Sequence, residues 1–260
     1  MTLLRLDGTV APPDPIAAPA SKADAVCLKM WSELQGFQIS RRQASRSRLI
    51  LDGENSANRA VFDMLRTKIA HLLRQNGWKS LAISSPGPGC GKTTLAMNLA
   101  LGLARQANYR VVLVDLDLRR PSIAHRLGLS EEWSLIQFLR RKSPLDQSFV
   151  RFEANLAVAP NTHAVPDASE VLQDPLTGAV LADMREWLKP DVIIYDIPPM
   201  LTTDDLMAFL PWVESVLLVA AAEATTLNEI DRCERDVSAN TNLLGVVLNK
   251  CRYRPESYGY

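Results

Sequence analysis

The chain is short of everything that would staple, anchor or polarise it. Its four cysteines, Cys27, Cys90, Cys233 and Cys251, lie far apart without the paired spacing of a disulfide framework or a zinc ribbon, so a reduced, cytoplasmic protein is expected. No run comes near the roughly 18 uninterrupted apolar residues of a membrane span, and Met1-Thr2-Leu3-Leu4-Arg5 does not open a secretory signal. Excess charge is missing too. The 29 Lys and Arg against 29 Asp and Glu give a net charge of zero, which removes any global attraction to nucleic acid. Histidine is scarce, and neither His125 nor His163 has a Cys, Asp or Glu at ligand spacing, which argues against a metal site there.

The length of 260 residues suffices for one sizeable α/β domain, or for such a domain with a tail. Residues 1 to about 25, with Ala11-Pro12-Pro13-Asp14-Pro15 and Ala18-Pro19-Ala20, hold too little apolar surface to offset the cost of ordering them. Beyond them Leu28, Met30, Trp31, Leu34 and Phe37 precede the basic cluster Arg41, Arg42, Arg46 and Arg48. That stretch reads either as a solvated linker or as a docking segment with a patch for anionic lipid or an acidic partner. The expected organisation is a disordered or linker arm with a basic cluster over 1–50, a folded domain over 51–251 and a flexible tail over 252–260.

The most informative stretch runs from Ser84 to Thr94. Ser80-Leu81-Ala82-Ile83 before it has the apolar run of a buried strand, and Leu95, Leu99 and Leu103 after it recur at helical spacing. Strand, glycine-rich loop and helix in that order cradle phosphate, because small residues let backbone N–H groups approach its oxygens and the helix N-terminus faces the anion. Gly87, Gly89, Cys90, Gly91, Lys92, Thr93 and Thr94 are the expected nucleotide-binding residues. Lys92 would reach the β and γ phosphates, Thr93 would offer its hydroxyl to Mg²⁺, and Thr94 would lie near the α phosphate. Pro86 stands where the usual pattern has its first glycine.

Two further strands end in acids. Arg110 to Asp115 is followed by Leu116-Asp117-Leu118-Arg119-Arg120-Pro121, and Asp191-Val192-Ile193-Ile194-Tyr195-Asp196 leads into Ile197-Pro198-Pro199. Acids at the carboxyl ends of parallel strands project into the crevice where α/β sheets bind ligands. Asp115 and Asp117 point to one side if the strand stays extended; alternatively they cap the helix starting near Pro121. Apolar runs at 215–221 and 243–250, with helices between strands, predict a doubly wound, mainly parallel sheet in a three-layer α/β/α domain. Asn249 either reads an adenine edge or is an ordinary turn residue. The helix over 60–73 carries Val61, Phe62, Leu65, Ile69, Leu72 and Leu73 on one face, for its own core or for a subunit contact. Tyr253, Tyr258 and Tyr260 lie in a Gly/Pro/Arg context that forbids a core.

Taken together, the loop, Val114-Asp115-Leu116-Asp117-Leu118-Arg119-Arg120-Pro121, Asp196-Ile197-Pro198-Pro199, the Gly245 to Asn249 strand and the terminal tyrosines resemble, in order, the bacterial tyrosine kinases of exopolysaccharide and capsule synthesis, the CpsD/CapB type. The resemblance covers about residues 55 to 260. It implies a P-loop kinase that transfers the γ-phosphoryl of ATP, with Mg²⁺, to tail tyrosines of a neighbouring copy, here Tyr253, Tyr258 and Tyr260. It also implies a transmembrane chain-length-regulator adaptor whose cytoplasmic tail recruits the kinase to the inner face of the plasma membrane. The roles carried over are Lys92 and the loop on the phosphates, Thr93 and Asp196 on Mg²⁺, Asp117 supporting the metal or Lys92, and Asp115 orienting and deprotonating the incoming hydroxyl. Arg119 and Arg120 would shape the acidic loop or a subunit contact. The family's ring-forming Glu, Arg and Arg align with Ala60, Asp63 and Arg66, so two of the three differ and a homo-oligomer by that contact is not implied. Other readings are a P-loop ATPase switch of the partition or septum-positioning type, whose signature lysine position is Gly87 here, and a catalytically weak ATP-binding scaffold.

Overall fold

Why the apolar runs became strands is visible in how completely they are covered. The computed structural model describes residues 22–51, 57–129 and 132–251, and the expected acceptors Tyr253, Tyr258 and Tyr260 lie outside the described residues. One sheet contains β1 (Gln35–Phe37), β2 (Ser80–Ser84), β3 (Val111–Asp115), β4 (Val150–Phe152), β5 (Leu156–Ala159), β6 (Val192–Asp196), β7 (Ser215–Ala221) and β8 (Asn242–Asn249), in the order β1-β4-β5-β3-β6-β2-β7-β8. All neighbours are parallel except β4 and β5. Strands β2, β3, β5, β6 and β7 are buried along their whole length, as continuous apolar runs between two helical layers require. Alternation sorts their side chains: Val112 and Val114 enter one core, Val111 and Leu113 the other. The expected doubly wound, mainly parallel sheet is what forms.

The helices are α1 (Lys22–Glu33), α2 (Arg41–Ser47), α3 (Ala57–Asn76), α4 (Lys92–Ala104), α5 (Ile123–Leu127), α6 (Leu135–Leu139), α7 (Ala168–Gln173), α8 (Pro175–Leu188), α9 (Asp205–Phe209) and α10 (Leu227–Ser238). Leu95, Leu99 and Leu103 of α4 share a core with Ile69 and Leu73 of α3, so α3 packs within its own domain. Two positions aligned with the ring motif turn inward: Asp63 pairs with Arg105 at 3.0 Å, and Arg66 donates to the Gly102 carbonyl. Val61 and Met64 remain exposed on the outer face of α3.

The expectation of an arm reaching residue 50 is corrected from residue 22 onward. Cys27, Trp31 and Leu34 are buried in the main core, and the Trp31 indole donates to the Leu188 carbonyl at 2.8 Å. Strand β1 pairs with β4 in parallel, so the pair extends the sheet. The Ser40 hydroxyl caps α2 by accepting from Gln43 N. These residues are too few to form a core alone, and they order because the exposed flank of an existing one receives them. Trp31→Ala is therefore expected to cost about 3 kcal/mol in a urea unfolding curve, whereas a solvated linker would leave the midpoint unchanged. At the other end of the chain a capping box forms at Thr226 and Glu229. Asp167, with the same spacing to Glu170, makes no capping hydrogen bond and pairs with Arg140 instead.

Candidate nucleotide site

The carboxyl ends of β2, β3 and β6 meet at one edge, with Asp115 and Asp196 direct register partners and Ile83 beside Asp196. The loop from Ser85 to Gly91 crosses that edge and enters α4. Gly91 caps α4 with φ of +97°, a left-handed conformation that disfavours a side chain, and a Cβ there would collide with the Asn249 amide. Met200 N donates to Ser85 O and Leu201 N to Pro86 O, so the Pro198-Pro199 segment is laced to the loop. Pro86 thus contributes a carbonyl at the place where the usual pattern has glycine.

Lys92 is the centre of the arrangement. Its Nζ donates to Asp117 Oδ2 at 2.6 Å and lies 3.5 Å from both Asp196 Oδ1 and Thr93 Oγ1. Burial works against the ammonium, but Asp196 and Asp117 outweigh it and hold the Lys92 pKa above the usual lysine value. Burial likewise pushes Asp196 above the carboxylate range, with Lys92 opposing. Asp115 is driven well above that range by burial and then by Asp196. Two oxygens of this cluster, Asp115 Oδ1 and Asp196 Oδ2, are buried without a hydrogen-bond partner. The orphaned Asp196 Oδ2, beside Thr93 and Asp117 at a phosphate-binding loop, fits a cation that arrives with the nucleotide.

A cavity of about 730 Å³ opens over the loop, lined by Gly89, Gly91, Lys92, Thr93, Thr94 and Asp117. Gly87 and Cys90 shape the loop from within: the Gly87 carbonyl accepts from Ser85 Oγ and from the buried Cys90 thiol. Asp115 and Asp196 stand behind the wall, fully buried. The placement of Asp115 departs from the role inferred from the resemblance. Its Oδ2 accepts from Ser122 N and Ile123 N at 3.1 and 2.9 Å, capping α5, so an acceptor hydroxyl cannot touch it in this conformation. Asn249 also differs from a base reader: its Nδ2 donates to Cys90 O at 2.8 Å and its Oδ1 accepts from Lys250 N, so the amide holds the loop. Arg119 shapes the acidic loop as expected, gripping buried Asp205 through two nitrogens, and Arg120 N donates to Asp117 Oδ1.

Sequence reasoning missed part of the wall. Arg46, Ser47 and Arg48 line the cavity from the segment read as a linker, and Arg126 and Lys250 join them. The basic cluster was legible, but nothing in the residue order said that α2 would fold back over the loop.

A family model described as ParA, NUBPL iron-transfer P-loop NTPase, matches residues 78–259. The chain belongs to the ParA family of P-loop NTPases. This ParA-family chain is 27% identical over 217 residues to tyrosine-protein kinase YwqD of Bacillus subtilis, covering 79% of the chain and 86% of that relative. It is also 27% identical over 218 residues to a putative tyrosine-protein kinase in the cps region of Klebsiella pneumoniae, covering 82% of the chain but 30% of that protein. The chain thus spans most of one curated relative and less than a third of another. Among solved structures, the kinase domain of Escherichia coli tyrosine kinase ETK superposes with a TM-score of 0.64 at 27% identity, over 75% of the chain and 78% of that structure.

Proposed function

We propose that the chain is an ATP-dependent protein-tyrosine autokinase acting in exopolysaccharide or capsule production. The observation that carries the reading is Lys92 held between Asp117 and Asp196 at the root of the phosphate loop, in a chain whose relatives bear tyrosine-kinase names. In this reading loop amides and Lys92 grip the phosphates of ATP. Thr93, Asp117 and Asp196 would hold Mg²⁺ directly or through water, an all-oxygen set that suits a hard cation. When bound, the ion neutralises charge on the phosphates.

Phosphoryl transfer asks the protein chiefly for positioning and electrostatics. A phenolic oxygen bonds to the γ phosphorus, the bond from that phosphorus to the bridging oxygen breaks, and ADP departs. The phenolic proton passes to Asp117, which lines the cavity, with buried Asp115 setting the shape of the loop behind it. The acceptors are Tyr253, Tyr258 and Tyr260 of another copy. Val61 and Met64 are exposed on α3 and would be open to self-association between copies. An adaptor with a cytoplasmic tail would hold the kinase at the membrane, since no helix among the described residues is long and apolar enough to cross one.

The ParA-family match favours one second reading, an ATPase switch without tyrosine transfer. Phosphotyrosine on protein incubated with Mg·ATP and a candidate adaptor tail separates the two. Label is expected on the wild type and absent when Tyr253, Tyr258 and Tyr260 are all changed to Phe. ATP hydrolysis with no phosphotyrosine would end the kinase reading in favour of the switch.

A further inference from the structure

The rim of the nucleotide cavity carries more cations than the phosphate loop accounts for. Arg46 and Arg48 reach it from α2 and its cap, Arg126 from α5, and Lys250 from just past β8. Arg119, on the same rim, is matched by Asp205. Arg120 lines the rim as well, and no ion pair among the described residues matches it or the other four.

Their placement is built rather than incidental. Helix α2 is seated on the last carbonyls of α5: Gln43 Nε2 donates to His125 O and Arg126 O, and Ser47 Oγ donates to Arg126 O at 2.7 Å. On the other side one carboxamide ties the α2 cap to the phosphate helix. Asn98 Nδ2 donates to both Arg48 O and Thr94 O at 2.9 Å, while Asn98 Oδ1 accepts from Ile50 N. Arg126 Nη1 lies 3.4 Å from Thr94 Oγ1. Two separate elements therefore bring arginines to the cavity that Thr94 lines. Gathering like charges raises the free energy of the empty cavity and lowers it when an anion arrives.

We propose that Arg126 and Arg48 form an anion subsite of the nucleotide cavity that takes the phosphate nearest Thr94, making residues 41–48 part of the nucleotide-binding surface. The ligand class is a nucleoside di- or triphosphate, and the inference rests on the nucleotide reading of Lys92 and its loop. Guanidinium forks match phosphate oxygens in a bidentate geometry that an ammonium cannot reproduce. Arg46 and Lys250 add to the local field without a required contact.

The test is equilibrium binding of a fluorescent ADP analogue with Mg²⁺ to the full chain over a range of salt. Wild type is compared with R48A/R126A, R126K, K92M and R140A, the last removing an exposed guanidinium that pairs with Asp167 away from the cavity. R48A/R126A is expected to bind about tenfold more weakly and to lose much of the wild type's salt dependence. R126K should fall between the two, and R140A should match wild type. Thermal unfolding without nucleotide should be unchanged or raised in R48A/R126A, because repulsion is relieved. If that variant fails to fold, R126K carries the decision, and wild-type affinity in R126K overturns the proposal. Unchanged ADP affinity in a folded R48A/R126A also overturns it. The rim would belong to an acidic acceptor instead if that variant also lost binding to a Glu-Tyr copolymer. A K92M protein that binds ADP like wild type would sink the loop reading itself, whatever the arginines do.

Discussion

Lys92→Met is expected to reduce tyrosine labelling by about a thousandfold, the scale on which removing one preorganised charge-stabilising group acts. The same change should weaken the protein itself. Lys92 is the ammonium that faces Asp117 at 2.6 Å and Asp196 at 3.5 Å, and Asp115 and Asp196 are fully buried. Without it three carboxyls remain in one cluster with no counter-charge in contact. Breaking a buried pair by removing one partner costs about 3 kcal/mol, and here the cost depends on pH. The carboxyls escape it by binding protons, so their pKa values rise further than in the wild type. Urea unfolding should therefore show a larger deficit at pH 8 than at pH 5. An equal deficit at both would mean that Lys92 matters through its packed stem and not through charge.

Asp115→Asn is expected to go the other way in stability and to leave transfer in place, because the buried carboxyl does not reach the cavity. In the folded state burial and Asp196 hold the Asp115 carboxyl well above its ordinary value. The native protein then keeps a proton that the unfolded chain has released, and stability falls as pH rises from the ordinary carboxylate range toward the raised folded value. An amide oxygen at that position can still accept from Ser122 N and Ile123 N, and it has no charge to desolvate. The variant should match wild type at low pH and exceed it by about 1 kcal/mol at neutral pH, read from unfolding midpoints across that window. Equal stability throughout would mean the carboxyl is not held protonated. Lost labelling in a folded, stabilised variant would give Asp115 a direct part in transfer.

Much of the site was legible because its parts are local. The apolar run from Ser80 to Ile83, the glycines of the loop and the leucines of α4 specify strand, turn and helix from neighbouring residues alone, and the acids sit at strand ends by position. The resemblance added the kinase chemistry that spacing could not. The role of Asn249 was not legible, since the Cys90 carbonyl it holds lies 159 residues away. For Asp115 the helix-capping alternative was legible from its neighbours Ser122 and Ile123, and its burial against Asp196 of β6 was not.

The same division runs through the whole chain. Sequence by itself determined the alternation of buried strands and helices, the phosphate loop and the three strand-terminal acids, because backbone conformation and side-chain periodicity follow from adjacent residues. Only the tertiary structure decided that residues 22–51 fold at all. It also decided that β1 and β4 extend the sheet, and that Arg48 and Arg126 line one cavity with Thr94. Those outcomes depend on contacts between segments that are far apart in the chain, and such contacts leave no periodic trace in either segment.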